Sequence, residues 1–164
     1  MTQTQPRTRT HSWTDPAEIA RLAGNHSGLE LMQAMARGEL PAPPIMHLID
    51  AGGVEAEEGS VTVRLHPQEF HYNPLGTVHG GVIATLLDTA AACSVHTTLP
   101  AGVGYTSLDL NVKFVRPVTI ASGQLTCRGE VLQRGRRTAL AESRLTDAQG
   151  RLLAHATSSC LILN

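Results

Sequence analysis

Two short features carry residues whose types and spacing could do chemistry. The first is Asn73-Pro74-Leu75-Gly76-Thr77-Val78-His79-Gly80-Gly81, which leads into an apolar run from Val82 to about Thr98. Within that run Val82, Ile83, Leu86, Leu87, Ala90, Ala91, Cys93 and Val95 predict a helix buried nearly all round. A glycine pair at a helix start exposes unbonded backbone N–H groups at the positive end of the helix dipole. Without a Cβ, it also lets another atom approach closely. That suits a carbonyl oxygen gaining negative charge during acyl transfer; a tight turn with no chemistry is the plainer alternative. The second feature is Asp88, in the middle of the same helix. An unpaired carboxylate there is costly to desolvate, so a partner or a displaced pKa is expected. Gly81, Ala84, Thr85, Asp88, Ala91 and Ala92 share a stripe of small or polar residues, which predicts a cleft containing the carboxylate. A structural pairing of Asp88 with an arginine, or a helix face left exposed by the sheet edge, is the alternative.

Spacing sharpens this. Gly80 and Asp88 lie eight residues apart, about 12 Å along a helix axis. One carbonyl cannot be held at Gly80 and attacked through Asp88 of the same chain. If both act on one substrate they come from two chains, which predicts a dimer with composite sites. Other chemistries find less support. There is no Gly-x-Ser-x-Gly elbow and no phosphate-binding loop ending in Lys-Ser or Lys-Thr. The eight histidines form no close metal-ligand set, and His66 and His71 read as polar surface flanking a turn. Arg116, Arg134, Arg136 and Arg137 lie at strand ends or turns, where they could grip a phosphate or simply be solvated.

The elements that must position these residues follow from the pattern. Residues 1–13 are polar and predict a disordered tail. Asp15-Pro16 opens a first helix that breaks near Gly24-Asn25; Ser27 opens a second that stops at Gly38. These two make an N-terminal helical extension over residues 14–44, ended by the stiff Pro41-Ala42-Pro43-Pro44 connector. A main domain over 45–164 follows. Ile45–Ile49 reads as a strand, Gly52-Gly53 as a break, and Val61–Leu65 as a half-buried strand. After the central helix come strands over 107–114, 123–132, 137–146 and 152–163, joined by turns at Arg134-Gly135-Arg136 and Asp147–Gly150. The short connections predict antiparallel neighbours, hence an α+β layer with the sheet curling round one apolar helix.

Composition bounds the rest. A chain of 164 residues with a net charge of −1 predicts one domain with a substantial core and no bulk attraction to nucleic acid or an anionic membrane. The three cysteines, Cys93, Cys127 and Cys160, read as reduced structural thiols. With no apolar run of transmembrane length and no secretory leader, a cytoplasmic protein is expected.

At Asn73-Pro74, Val78-His79-Gly80-Gly81, Leu86-Leu87-Asp88-Thr89-Ala90, Thr106-Ser107-Leu108-Asp109-Leu110-Asn111 and Phe114-Val115-Arg116-Pro117 the chain resembles the hotdog-fold acyl-CoA thioesterases, in their phenylacetate-pathway (PaaI-like) and aryl-CoA branch. The resemblance covers about residues 40–163. It implies a curved antiparallel sheet around a central helix, a homodimer that often pairs into a homotetramer, and hydrolysis of an acyl-CoA substrate without a cofactor or metal. It also implies roles. Asp88 would be general base or nucleophile. Gly80, with or without Gly81, would donate N–H to the thioester oxygen from the opposing subunit. His79 would steady the loop, Asn73 would orient water or the thioester, and Ser107 would position water. Arg116, Arg136 and Arg137 would be candidates for the CoA phosphates. The hydroxyl that some relatives carry one turn after the acid is replaced here by Ala92. The rivals are a hotdog 3-hydroxyacyl-thioester dehydratase or hydratase with His79 as base, and a non-catalytic acyl-CoA-binding module.

Overall fold

The computed structural model describes residues 5–163. The expected disordered tail lies partly outside them, in residues 1–4. Residues 5–13 form neither helix nor strand, but Arg9 donates to the carbonyls of Leu48 and His47 at 2.6 and 3.0 Å. Helix α1 (Pro16–Ala23) starts as expected, with Asp15 accepting the Ala17 N–H and proline at the first turn. Helix α2 (Gly28–Ala36) opens with a capping box between Ser27 and Glu30.

Three elements differ from the sequence reading. Residues 45–49 form a helix, α3 (Pro44–Ile49), not a strand. Pro44 supplies a preset φ at the first turn, and Met46 and Ile49 are buried at a three-residue spacing while Ile45 and Leu48 face out. The supposed break at Gly52-Gly53 lies inside an edge strand, β1 (Ala51–Glu57). Its pairing with β2 (Ser60–Leu65) is irregular between Gly52 and Glu55, where Gly53 takes a φ of 58°. The single strand expected over 107–114 is two, β3 (Gly104–Ser107) and β4 (Asn111–Phe114), both antiparallel to β7 (Leu152–Leu163). Between them the Asp109 carboxylate accepts the Ser159 N–H at 2.9 Å, and the Asp109 carbonyl accepts from Ser158 Oγ. A side chain there replaces a rung of the ladder.

The remaining strands are β5 (Leu125–Arg134) and β6 (Thr138–Thr146). All seven pair antiparallel in the order β1-β2-β5-β6-β7-β3, with β4 also on β7. The sheet curls round α4 (Gly80–His96), whose Leu86, Leu87, Ala90 and Val95 are essentially inaccessible to solvent. Burying each such leucine stabilises the fold by roughly 1.5–3 kcal/mol. One contact sets the helix height over the sheet. A Cβ at Gly129 of β5 would stand 2.1 Å from the Ala90 carbonyl oxygen, so only glycine lets α4 come this close. Gly28, at the start of α2, is pressed against the His96 carbonyl in the same way.

Gly129→Ala must therefore lift α4 or bend β5. We expect a loss of about 2–3 kcal/mol in folding stability, read as a lower urea midpoint with little change in slope.

Candidate active site

Helix α4 carries both chemical features, and its packing decides where each points. Asp88 is half-buried, and its Oδ1 accepts a hydrogen bond from Ser107 Oγ at 3.0 Å. The partner expected for this carboxylate is thus a hydroxyl on β3, not an arginine. On one side Asp88 borders a shallow depression with Ala84, Thr85, Ser107 and Leu108. On the other it borders an apolar cavity of about 390 Å³. The cavity walls come from Met32, Met35 and Ala36 of α2, Ile45 and Met46 of α3, and the bulged start of β1, with Ala92, Cys93 and Tyr105 lining it further along α4 and β3. The small-residue stripe is split in this arrangement. Ala84, Thr85, Asp88 and Ala92 face these spaces, whereas Ala91 is fully buried in the core.

The other two titratable groups that line the cavity, Cys93 and Tyr105, are held neutral. Burial pushes the Cys93 thiol up to about 11, the Tyr105 hydroxyl beside it pulling the other way and the Asp88 carboxylate adding to the rise. Burial also raises Tyr105 well above the usual phenol range.

The start of α4 is a different place. His79 is the N-cap, and its Nδ1 accepts the Gly81 N–H at 2.8 Å. That bond has two consequences. It occupies the Gly81 donor, and among the described residues only the Gly80 N–H of the pair is left without an acceptor. It also fixes the neutral imidazole as the Nε2–H tautomer, because Nδ1 is already an acceptor. Asn73 holds the preceding turn: its Oδ1 accepts from the Leu75 and Thr77 N–H groups and its Nδ2 donates to Thr77 Oγ1. Asn73, Gly80, Phe114 and Arg116 line a second cavity of about 360 Å³, which includes neither Asp88 nor Ser107.

The structure therefore brings Asp88 and Ser107 together in one place and Asn73, Gly80 and Arg116 in another, with His79 and Gly81 forming the cap beside the latter. Arg136 and Arg137 join neither group. Arg116 N–H bonds to Leu153 of β7 and the Arg137 carbonyl accepts from Ile162 of the same strand, so nine residues, about 30 Å, lie between them. His71, read from sequence as surface, is 3% exposed, whereas His66 is exposed and bonded to Gln124. No helix among the described residues is long and apolar enough to cross a membrane.

Comparison with known proteins decides the family. The model of the thioesterase superfamily matches residues 75–154. Human acyl-coenzyme A thioesterase 13 is 31% identical over 102 residues, covering 62% of this chain and 71% of that protein. The chain belongs to the thioesterase superfamily. A solved thioesterase from Ralstonia eutropha, described as related to phenylacetic acid degradation, is 31% identical with a TM-score of 0.71, covering 79% of this chain and 98% of that one. The Escherichia coli PaaI protein from the phenylacetic acid degradation operon has the same fold at 20% identity, with a TM-score of 0.71 over 84% and 96% of the two chains. The protein is a hotdog thioester hydrolase.

Reactivity of Cys93 tests the burial of the cavity. At pH 8 a thiol with a pKa of about 11 is about one part in a thousand thiolate. Alkylation of Cys93 by iodoacetamide, followed by peptide mass spectrometry, should be at least about a hundredfold slower in the native protein than in the urea-unfolded chain.

Proposed function

We propose that the protein hydrolyses acyl-CoA thioesters to the free acid and CoA in sites shared between two subunits. The observation that carries this reading is the Ser107-held Asp88 carboxylate at the edge of an apolar cavity. Thioester hydrolysis needs an activated nucleophile, a polarised carbonyl and a dry place for the acyl group. Asp88 activates water as general base, or attacks the carbonyl itself; either role uses the carboxylate oxygen that Ser107 leaves free. The acyl chain lies against Met32, Met35 and Met46. The Gly80 N–H of the partner subunit polarises the carbonyl, because the Gly80 of the same chain opens into another cavity. Arg116 borders that second cavity and is the arginine best placed there for a CoA phosphate; Arg136 and Arg137 would serve only across an assembly. The acyl-CoA activity in the printed name of the human relative supports this choice of thioester.

The hydratase alternative needs His79 as base. With Nδ1 accepting from Gly81 and the proton on Nε2, the neutral ring has no free lone pair to offer. The binding-module alternative leaves the Asp88–Ser107 pair without a use.

Asp88→Asn should fold and dimerise normally while kcat for acyl-CoA, followed by thiol release, falls by about a hundredfold or more. Near wild-type turnover would remove Asp88 from the chemistry.

The composite site has its own test. Gly80 is the first residue of α4 and follows an extended His79, so proline fits the backbone there while deleting the N–H. Gly80→Pro should lower kcat by about 10²–10³. Co-expressing Gly80→Pro with Asp88→Asn should restore about a quarter of wild-type activity, because half the dimers are mixed and each holds one intact site. A mixture no better than its parents would place both residues in one chain's site.

A further inference from the structure

His71 lines neither of the two cavities but bonds to an element beside each. Its ring is 3% exposed and takes part in two bonds. Nδ1 accepts the Gln68 N–H at 2.9 Å, so the neutral ring carries its proton on Nε2, which donates to the Ile49 carbonyl at 2.8 Å. Ile49 is the last residue of α3, whose Ile45 and Met46 wall the cavity containing Asp88. The His71 backbone carbonyl accepts the N–H of His79, the residue that caps α4 and sets the Gly80 turn. One buried side chain and its own peptide thus bond to the end of α3 on one side and to the residue that caps α4 on the other.

We propose that His71 is a positioning residue that, in its neutral Nε2–H form, ties α3 to the Gly80 turn, and that protonating it frees the 68–71 turn and so loosens the Gly80 turn that the His71 carbonyl holds. Protonation puts a hydrogen on Nδ1, facing the Gln68 N–H, so that bond is lost while Nε2–H goes on donating to the Ile49 carbonyl. The groups around the ring favour the neutral form on balance. Burial lowers the His71 pKa most; the Ile49 carbonyl opposes this, the Arg9 guanidinium adds to the lowering, and Asp50 opposes it. Phe70 packs on the ring at 4.2 Å, with the Arg9 guanidinium stacked over Phe70 and Glu69 already paired to Arg7. The sign follows from the lowered pKa. The tie is complete at and above the ordinary imidazole range and is lost as pH falls through the folded value.

The activity arm of the test rests on the hydrolytic reading above; the exchange arm does not. In the wild-type protein, amide protection measured by hydrogen exchange should fall together at residues 68–72 and 77–81 on going from about pH 8 to about pH 5, while residues 46–50 and the α4 interior stay protected. His71→Gln keeps a donor for the Ile49 carbonyl but cannot titrate. Its kcat/KM should drop by about tenfold at neutral pH, and the acid limb of the wild-type profile should flatten. A role confined to stability would lower the plateau and leave that limb in place. A limb that persists in His71→Gln, or protection that changes in only one of the two segments, overturns the proposal. If His71→Gln does not fold, the wild-type exchange and the His71 imidazole titration by NMR decide it alone. If no acyl-CoA releases thiol at any pH, the hydrolytic reading fails, while joint loss of protection still supports the tie.

Discussion

The close approach of Ala90 to Gly129 fixes how α4 can be rotated, and most of the site follows from that. Successive residues on an α-helix turn by 100°, so Ala90 lies 200° round the axis from Asp88. Pinning the Ala90 carbonyl against a glycine in β5 therefore turns Asp88 away from the middle of the sheet and toward its β3 edge. Ser107 waits there because β3 alternates, with Tyr105 and Ser107 on the helix side and Gly104 and Thr106 on the other. A largely apolar helix can hold a carboxylate here because Asp88 lies half-buried at the β3 end of the sheet and is bonded to Ser107.

The same rigidity separates the chemistry. Gly80 opens on a cavity beside Phe114 and Arg116, and Asp88 on one lined by α2 and α3. A continuous helix between them cannot fold back to close that gap. His79 adds a local constraint. By capping its own helix through Nδ1 it engages the Gly81 amide and leaves the Gly80 amide available, so the His-Gly-Gly order matters as much as its composition.

Much of this was legible in the sequence because it rests on local rules. The caps at Asp15 and Ser27, the central apolar helix and the alternating strands after it all announce themselves by residue type and period. What was hidden depends on contacts far apart in the chain. Residues 45–49 alternate weakly enough to pass for a strand, and only the burial of Met46 and Ile49 together reveals the helix. Gly52-Gly53 looks like a break because an edge-strand bulge uses the same residues as a turn. His71 gave no signal at all: a histidine near a turn is usually solvated, and its burial comes from α3 and the Arg9 segment packing over it. Ser107 could be read as a helper of Asp88 only from family resemblance, since nothing in local spacing says that a strand will deliver it to the helix.

The division between legible and hidden coincides with a division in the molecule. The family match begins at residue 75, so the Gly80 turn, Asp88 and Ser107 all lie inside it. Met32, Met35, Ala36, Ile45, Met46 and the β1 bulge lie before it, yet they form most of the apolar wall beside Asp88. Three methionines in that wall are unbranched and adapt to different neighbours more readily than leucine or isoleucine would. The chain therefore keeps its charged and hydrogen-bonding groups on one well-buried helix and strand, and builds the shape of the adjoining space from a separate segment joined by prolines. Changes in that segment can reshape the cavity without moving the carboxylate, since the sheet holds α4 along its length and the Gly28 contact of α2 is at His96, about two turns beyond Asp88.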